Sequence, residues 1–254
     1  MNKTIIIIIV CILNILGVIV FAMNQNKEDY SVIIENIVKN IMLGKNIDIR
    51  DLTSSESIIL KNKTTDIDNS TKVYNKIYRI PWKFKVVTKN IGAYWTYGDY
   101  IYIPQNKIQQ ISKNTLLHEK IHVLQRKFKE YFDDFYKNVL NYESKPVKLT
   151  DKWNNKYLIN PDALDINWIF KENGNYYLPL LLKNFHKVVI LLDKNYNTTN
   201  KTYNFTDFNF FKKYKKYPFI DLYHPNEISA CMISHKIYGN YNNNDIDILL
   251  SKFK

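Results

Sequence analysis

Residues 118–122 read His-Glu-Lys-Ile-His. On a helix, histidines four positions apart project from one face about 6 Å apart along the axis, so both imidazoles can reach one tetrahedral zinc ion at about 2.0–2.1 Å. Glu119 sits about 100° around the helix from His118. There it can take a proton from a water at the ion and later hand it to a leaving amine without binding the metal itself. A helix is what the flanking residues predict. Leu116, Leu117, Ile121, Leu124 and Phe128 recur at helical spacing, and Ser112 or Asn114 can cap the start, so one helix is expected from Ser112 to Asn138. Lys120 lies about 200° from His118, where its amine is expected to extend to solvent.

A catalytic zinc needs a third protein ligand and an open fourth position. Asp133 and Asp134 follow on the same predicted helix about 17 Å beyond His122, too far to return to the ion. Gln125 and Phe128 stand where the metzincin arrangement needs Gly and His, which excludes that arrangement. The best donor is Glu227. Pro225 favours a helix start just before it, and Glu227, Ala230, Cys231 and Ser234 then share a face whose small residues let two helices approach closely. Glu143 is second choice because Pro146 breaks any helix that would hold it, and His186 and His235 are third choices.

The elements that position these residues are partly readable. Between Pro81 and Pro104 the pattern has period two, with a strand over Lys83–Thr88 and a hairpin formed by Ala93–Tyr97, Gly98-Asp99 and Tyr100–Ile103, so an antiparallel sheet is expected. Ile33, Ile37 and Ile41 with Ile34 and Val38 have helical spacing, and Asn62–Thr71 has the composition of a loop. From Thr4 to Met23 no charged residue occurs, and a helix of that length covers about 30 Å, the thickness of a hydrocarbon core. A retained single-pass anchor is therefore expected. Val20 and Ala22 fit the −3 and −1 positions of a signal-peptidase site, so cleavage after Ala22 and secretion is the competing outcome. Lys3 and Lys27 flank the run almost evenly, which leaves the topology undecided.

Composition narrows the function. The formal charge is +12, but only Arg50, Arg79 and Arg126 are arginines, and lysine lacks the planar fork that reads base edges and phosphates in pairs. A solvated lysine surface, with no specific nucleic-acid partner, is the expectation. Two cysteines, one of them Cys11 inside the apolar run, exclude a disulfide-built scaffold and a cysteine zinc cluster. Asn-X-Ser/Thr triplets at Asn62, Asn69, Asn197, Asn200 and Asn204 would fit exposure to the secretory lumen if glycans were attached, against about three expected by chance in so asparagine-rich a chain.

The pairing of His118-Glu119-Lys120-Ile121-His122 with the later Asn226-Glu227 resembles the gluzincin zinc metallopeptidases. Their second motif is Asn-Glu with Ser or Ala and then Asp three and four residues beyond the Glu. The stretch from Ala93 through His118–Arg126, Asn160-Pro161-Asp162 and His224–Ala230 is also similar to uncharacterised metallopeptidase-type proteins of large DNA viruses. The resemblance implies a zincin-like fold, His118, His122 and Glu227 as ligands of one Zn2+, Glu119 as general base, and a peptide or protein substrate. Cys231 departs from it, standing where the motif places an aspartate that orients a zinc-bound histidine; Asp162 or Asp165 could substitute, although Asp162 also suits a cap. Tyr223 and His224 lie near enough in sequence to Glu227 to be considered as donors to a tetrahedral oxyanion.

The expectation is thus an α+β protein: a transmembrane anchor over residues 1–24, a helical stalk and loop over 25–75, a zincin-like metallopeptidase domain with a small antiparallel sheet and an active-site helix over 76–239, and a polar tail over 240–254. Its alternative is a catalytically inactive, membrane-tethered structural or attachment protein that retains a zinc site.

Overall fold

The computed structural model describes residues 48–88, 93–158, 160, 162–163, 166–214, 217, 221–238 and 244–254. The expected membrane span at 4–23 and the stalk up to residue 47 lie outside them. Among the described residues, no helix is long and apolar enough to cross a membrane.

The protein is α+β, with two separate sheets. The first contains β1 (Ile49–Arg50), β2 (Phe84–Val87), β3 (Trp95–Tyr97) and β4 (Tyr100–Pro104) in the order β1-β2-β4-β3. The expected hairpin is present: Tyr97 faces Tyr100 across a turn in which Gly98 takes φ +55°, a left-handed value that favours glycine. The expectation of an antiparallel sheet is corrected. β3 lies outside β4, so β4 is inserted directly beside β2 and runs parallel to it, Phe84 facing Ile101 and Val86 facing Ile103. Period-two patterning selects the faces of a strand, not its neighbour.

Helix α1 (Ser54–Thr71) precedes this sheet, so the loop expected over Asn62–Thr71 is instead the second half of a helix. Thr53 and Glu56 close its start as a capping box, and Arg50 donates two hydrogen bonds, at 2.7 and 2.8 Å, to the same Glu56 carboxylate. Helix α2 (Asn75–Tyr78) follows. Burial of Leu60, Thr64, Ile67 and Thr71 along one stripe turns α1 into a core element packed on the helix that carries the His-Glu-Lys-Ile-His segment.

That helix, α3 (Lys113–Lys127), is capped by Ser112, whose hydroxyl accepts from the Thr115 amide at 3.0 Å. It does not continue to Asn138. At Phe128 the backbone leaves the helical region (φ −123°, ψ 44°), and α4 (Lys129–Asn138) starts in a new direction. The ring of Phe253 sits against Phe128, Tyr131 and Phe132 at this break, with centroids 5.5–6.0 Å apart.

A second, five-stranded antiparallel meander runs β5 (Tyr142–Ser144), β6 (Trp168–Glu172), β7 (Asn175–Leu181), β8 (Lys187–Leu192) and β9 (Thr198–Tyr203), with α5 (Asp151–Asn154) between β5 and β6. Asn173-Gly174 joins β6 to β7, both residues at positive φ, as a two-residue hairpin requires. After α6 (Asn209–Lys212), α7 (Pro225–Tyr238) packs directly along α3. The segment expected as a polar tail contains α8 (Asn244–Ser251), which buries Ile246, Leu249 and Leu250, followed by a fully buried Phe253.

The clearest departure concerns Lys120, which is 1% exposed instead of reaching solvent. Its ammonium lies 3.0 Å from Asp68 of α1 and 4.3 Å from the centre of the Trp82 ring, while Trp82 Nε1 donates to the same Asp68 oxygen at 2.9 Å. Burial lowers the Lys120 pKa, and the Asp68 carboxylate counters it. Breaking this pair from the acidic side strands a buried cation, so Asp68→Ala is expected to destabilise the fold by about 2–3 kcal/mol, whereas Lys120→Met, of similar volume, is expected to change stability by less than about 1 kcal/mol. Chemical denaturation of the two variants checks the asymmetry; equal losses would refute it.

Candidate metal centre

Helices α3 and α7 bring three donor atoms together. His118 Nε2 lies 3.0 Å from His122 Nε2 and 3.2 Å from Glu227 Oε2, and His122 Nε2 lies 3.6 Å from the same oxygen. A tetrahedral ion with bonds of about 2.0–2.1 Å needs ligand atoms about 3.3–3.4 Å apart, so this triangle has the dimensions of one face of such a site. The expected ligands His118, His122 and Glu227 therefore converge. Glu143 instead sits on β5 beside Lys145, His186 is exposed between β7 and β8, and His235 lies near Tyr217 on the later part of α7. None of the three belongs to a group of converging donors among the described residues. Asp133 pairs with Lys129 and Asp134 with Lys252, away from the triangle.

The burial of the triangle is graded. The His122 side chain is 1% exposed, Glu227 8% and His118 22%, so the open side faces solvent past His118. Each buried donor is tied down from behind. Glu227 presents Oε2 to the imidazoles, while its Oε1 accepts from Asn160 Nδ2 at 3.0 Å and from the Tyr223 hydroxyl at 3.2 Å. The Tyr223 hydroxyl thereby faces the carboxylate and Asn160. His224 accepts the Asn226 amide on Nδ1 at 3.1 Å, at the start of α7. His122 Nδ1 lies 2.8 Å from Gln125 Oε1.

Glu119 is buried next to β3. Thr96 Oγ1 donates to its Oε2 at 2.8 Å, and the Thr96 amide donates to Asp162 Oδ1 at 2.8 Å. Glu119, His122 and Asp162 place donor atoms within 4.8 Å of one another, so Glu119 adjoins the triangle without being one of its corners. The Asp162 carboxylate lies within 4.8 Å of a His122 nitrogen and of the Glu119 carboxylate. One of its oxygens accepts the amide of Thr96 on β3, the outer strand of the first sheet. Asp165 lies outside the described residues. Cys231 is buried beside the site, and Asp221, bound by Lys187, lies within electrostatic reach of both Glu227 and His118.

Asn160, Thr96 and Gln125 are the residues that sequence reasoning did not assign to the site. Gln125 carried a signal, since it is three positions from His122 and thus on the same helix face. The bonds of Asn160 and Thr96 span more than 20 residues and had none.

Five ionisable groups, His118, Glu119, His122, Asp162 and Glu227, share this small volume. Burial opposes a charge on His122, but the carboxylates of Asp162, Glu227 and Glu119 outweigh it and raise its pKa to about 10. Burial likewise works against Glu227, yet His122 and His118 hold it well below the usual carboxylate range. Burial lifts Asp162 to about 8. A folded-state pKa above the ordinary 6.5 means that His122 contributes stability that is complete below about pH 6.5 and lost as the pH rises through about 10. Asp162, also raised, adds a loss of the same sign on the way to about pH 8. Melting temperatures of the metal-free chain are thus expected to fall between pH 6.5 and 10, and His122→Gln is expected to abolish the part of the fall above pH 8; a flat wild-type profile would contradict this charge assignment. No family model, curated protein sequence or solved structure matches the chain.

Proposed function

We propose that this chain is a membrane-anchored, zinc-dependent peptidase of the gluzincin type with a zincin-like catalytic body. The observation that carries the reading is the triangle of His118, His122 and Glu227, with edges of 3.0, 3.2 and 3.6 Å and its open side toward solvent. Two imidazoles and one carboxylate are a donor set suited to zinc more than to magnesium or calcium, which favour all-oxygen shells. When bound, the ion supplies Lewis acidity to a carbonyl and to water. The chain's own residues supply the rest. Thr96 fixes the Glu119 carboxylate beside the triangle, where it can accept a proton from water and return it to the departing amine. Asn160 and Tyr223 hold Glu227 so that one oxygen faces the imidazoles. The outer strand β3 could take an extended peptide along its edge only by displacing Asp162 from the Thr96 amide. The uncharged run at 4–23 supports the anchor.

A second reading, a tethered protein that keeps the cation site without turnover, is favoured by one observation. The Thr96 amide on the β3 edge is already taken by Asp162. Purified chain is expected to hold about one zinc and to cleave members of a broad peptide library, and Glu119→Gln is expected to lower cleavage by at least about 100-fold while retaining the metal. Wild type and variant equally inactive with zinc retained would select the second reading; absence of zinc at neutral pH would remove both.

A further inference from the structure

Behind His122 lies a buried chain of neutral groups that leads from the triangle into the core. Gln125 Nε2 is 2.8 Å from the main-chain oxygen of Asn226 and 2.9 Å from Ser229 Oγ, both on α7. Ser229 Oγ in turn donates to the Asn226 oxygen at 3.1 Å and meets the Tyr136 hydroxyl of α4 at 3.1 Å. Gln125, Ser229, Tyr136 and His122 are each 4% exposed or less.

These contacts leave the Gln125 amide only one orientation. A main-chain carbonyl can only accept, so the atom facing Asn226 must be the amide nitrogen, and the oxygen must face His122. An amide oxygen can only accept as well, so His122 Nδ1 carries a hydrogen and donates it across the 2.8 Å contact. In the neutral imidazole, the lone pair is then on Nε2, which is the atom aimed at His118 Nε2 and Glu227 Oε2.

We propose that Gln125 is a positioning residue for the cation: it sets the tautomer and the ring plane of His122, the task for which the related motif uses a carboxylate and for which Cys231 has no equivalent chemistry. The inference rests on the zinc reading above. Gln125 cross-links the two ligand-bearing helices by the same amide that orients the ligand, so ring orientation and helix spacing are set together. A neutral amide also leaves the imidazole less basic than a carboxylate would, which couples orientation to weaker electron donation.

The test uses the 254-residue chain in three forms: wild type, Gln125→Met and Gln125→Glu. Zinc affinity is measured by chelator competition, and His122 by 15N NMR of the zinc-loaded protein. Gln125→Met, of similar volume, is expected to lose about 10- to 100-fold in zinc affinity and to lose the exchange-protected Nδ1–H of His122; Gln125→Glu, which keeps an acceptor oxygen toward His122 but loses the donor to the Asn226 carbonyl, is expected to recover the Nδ1–H and only part of the affinity. Wild type that binds zinc through Nδ1 of His122 overturns the proposal even if Gln125→Met does not fold. So does a folded Gln125→Met that matches wild-type affinity, an outcome that leaves the zinc reading standing. Wild type that takes up no zinc overturns the zinc reading and this proposal together.

Discussion

The close packing of α3 on α7 is the constraint on which the rest of the structure turns. It brings a carboxylate oxygen to within 3.6 Å of two imidazole nitrogens, in a place where two of the three side chains are almost without water. Desolvated donors crowded in this way are costly unless something positively charged lies between them. In the metal-free molecule that role falls to a proton, which is why His122 and Glu227 shift in opposite directions. The two buried corners, His122 and Glu227, are each held from the side facing away from the triangle.

Holding those corners explains the second sheet. Tyr157 bridges to Leu182, and the Leu158 amide donates to Leu181 at the end of β7, so the chain is anchored immediately before Asn160. Lys187, at the start of β8, pairs with Asp221 just ahead of Tyr223. Both residues that grip Glu227 Oε1 are therefore delivered from the rim of the meander, which serves as the wall against which the carboxylate is braced. The first sheet does the corresponding work for Glu119 through Thr96 on β3.

Local chemistry was legible in the sequence, and long-range chemistry was not. The spacing of His118 and His122, the Ser112 cap, the turn at Gly98 and the helix start at Pro225 all depend on residues within a few positions of each other, and each is found where its pattern implies. Glu227 was legible because small residues beside a carboxylate mark a face made for close approach. The parallel pairing of β2 with β4 and the role of Asp162 involve partners distant in sequence, for which periodicity carries no information. Lys120 was misread for a related reason: its helix angle predicts the direction of the side chain, but whether that direction meets water depends on α1, whose Asn62–Thr71 half has the composition of a loop. The meander was missed although Asn173-Gly174 announces a hairpin, since its flanking strands are buried on both faces and lose the alternation that marks a half-exposed strand.

The bend between α3 and α4 depends on an aromatic residue more than a hundred positions further along the chain. Phe253 fills the angle between α3 and α4, and the main-chain oxygens of Lys252 and Phe253 receive the side-chain and backbone nitrogens of Lys76. A chain that stopped short of Phe253 would leave a hollow under the bend between α3 and α4, so that bend cannot set until residue 253 has left the ribosome.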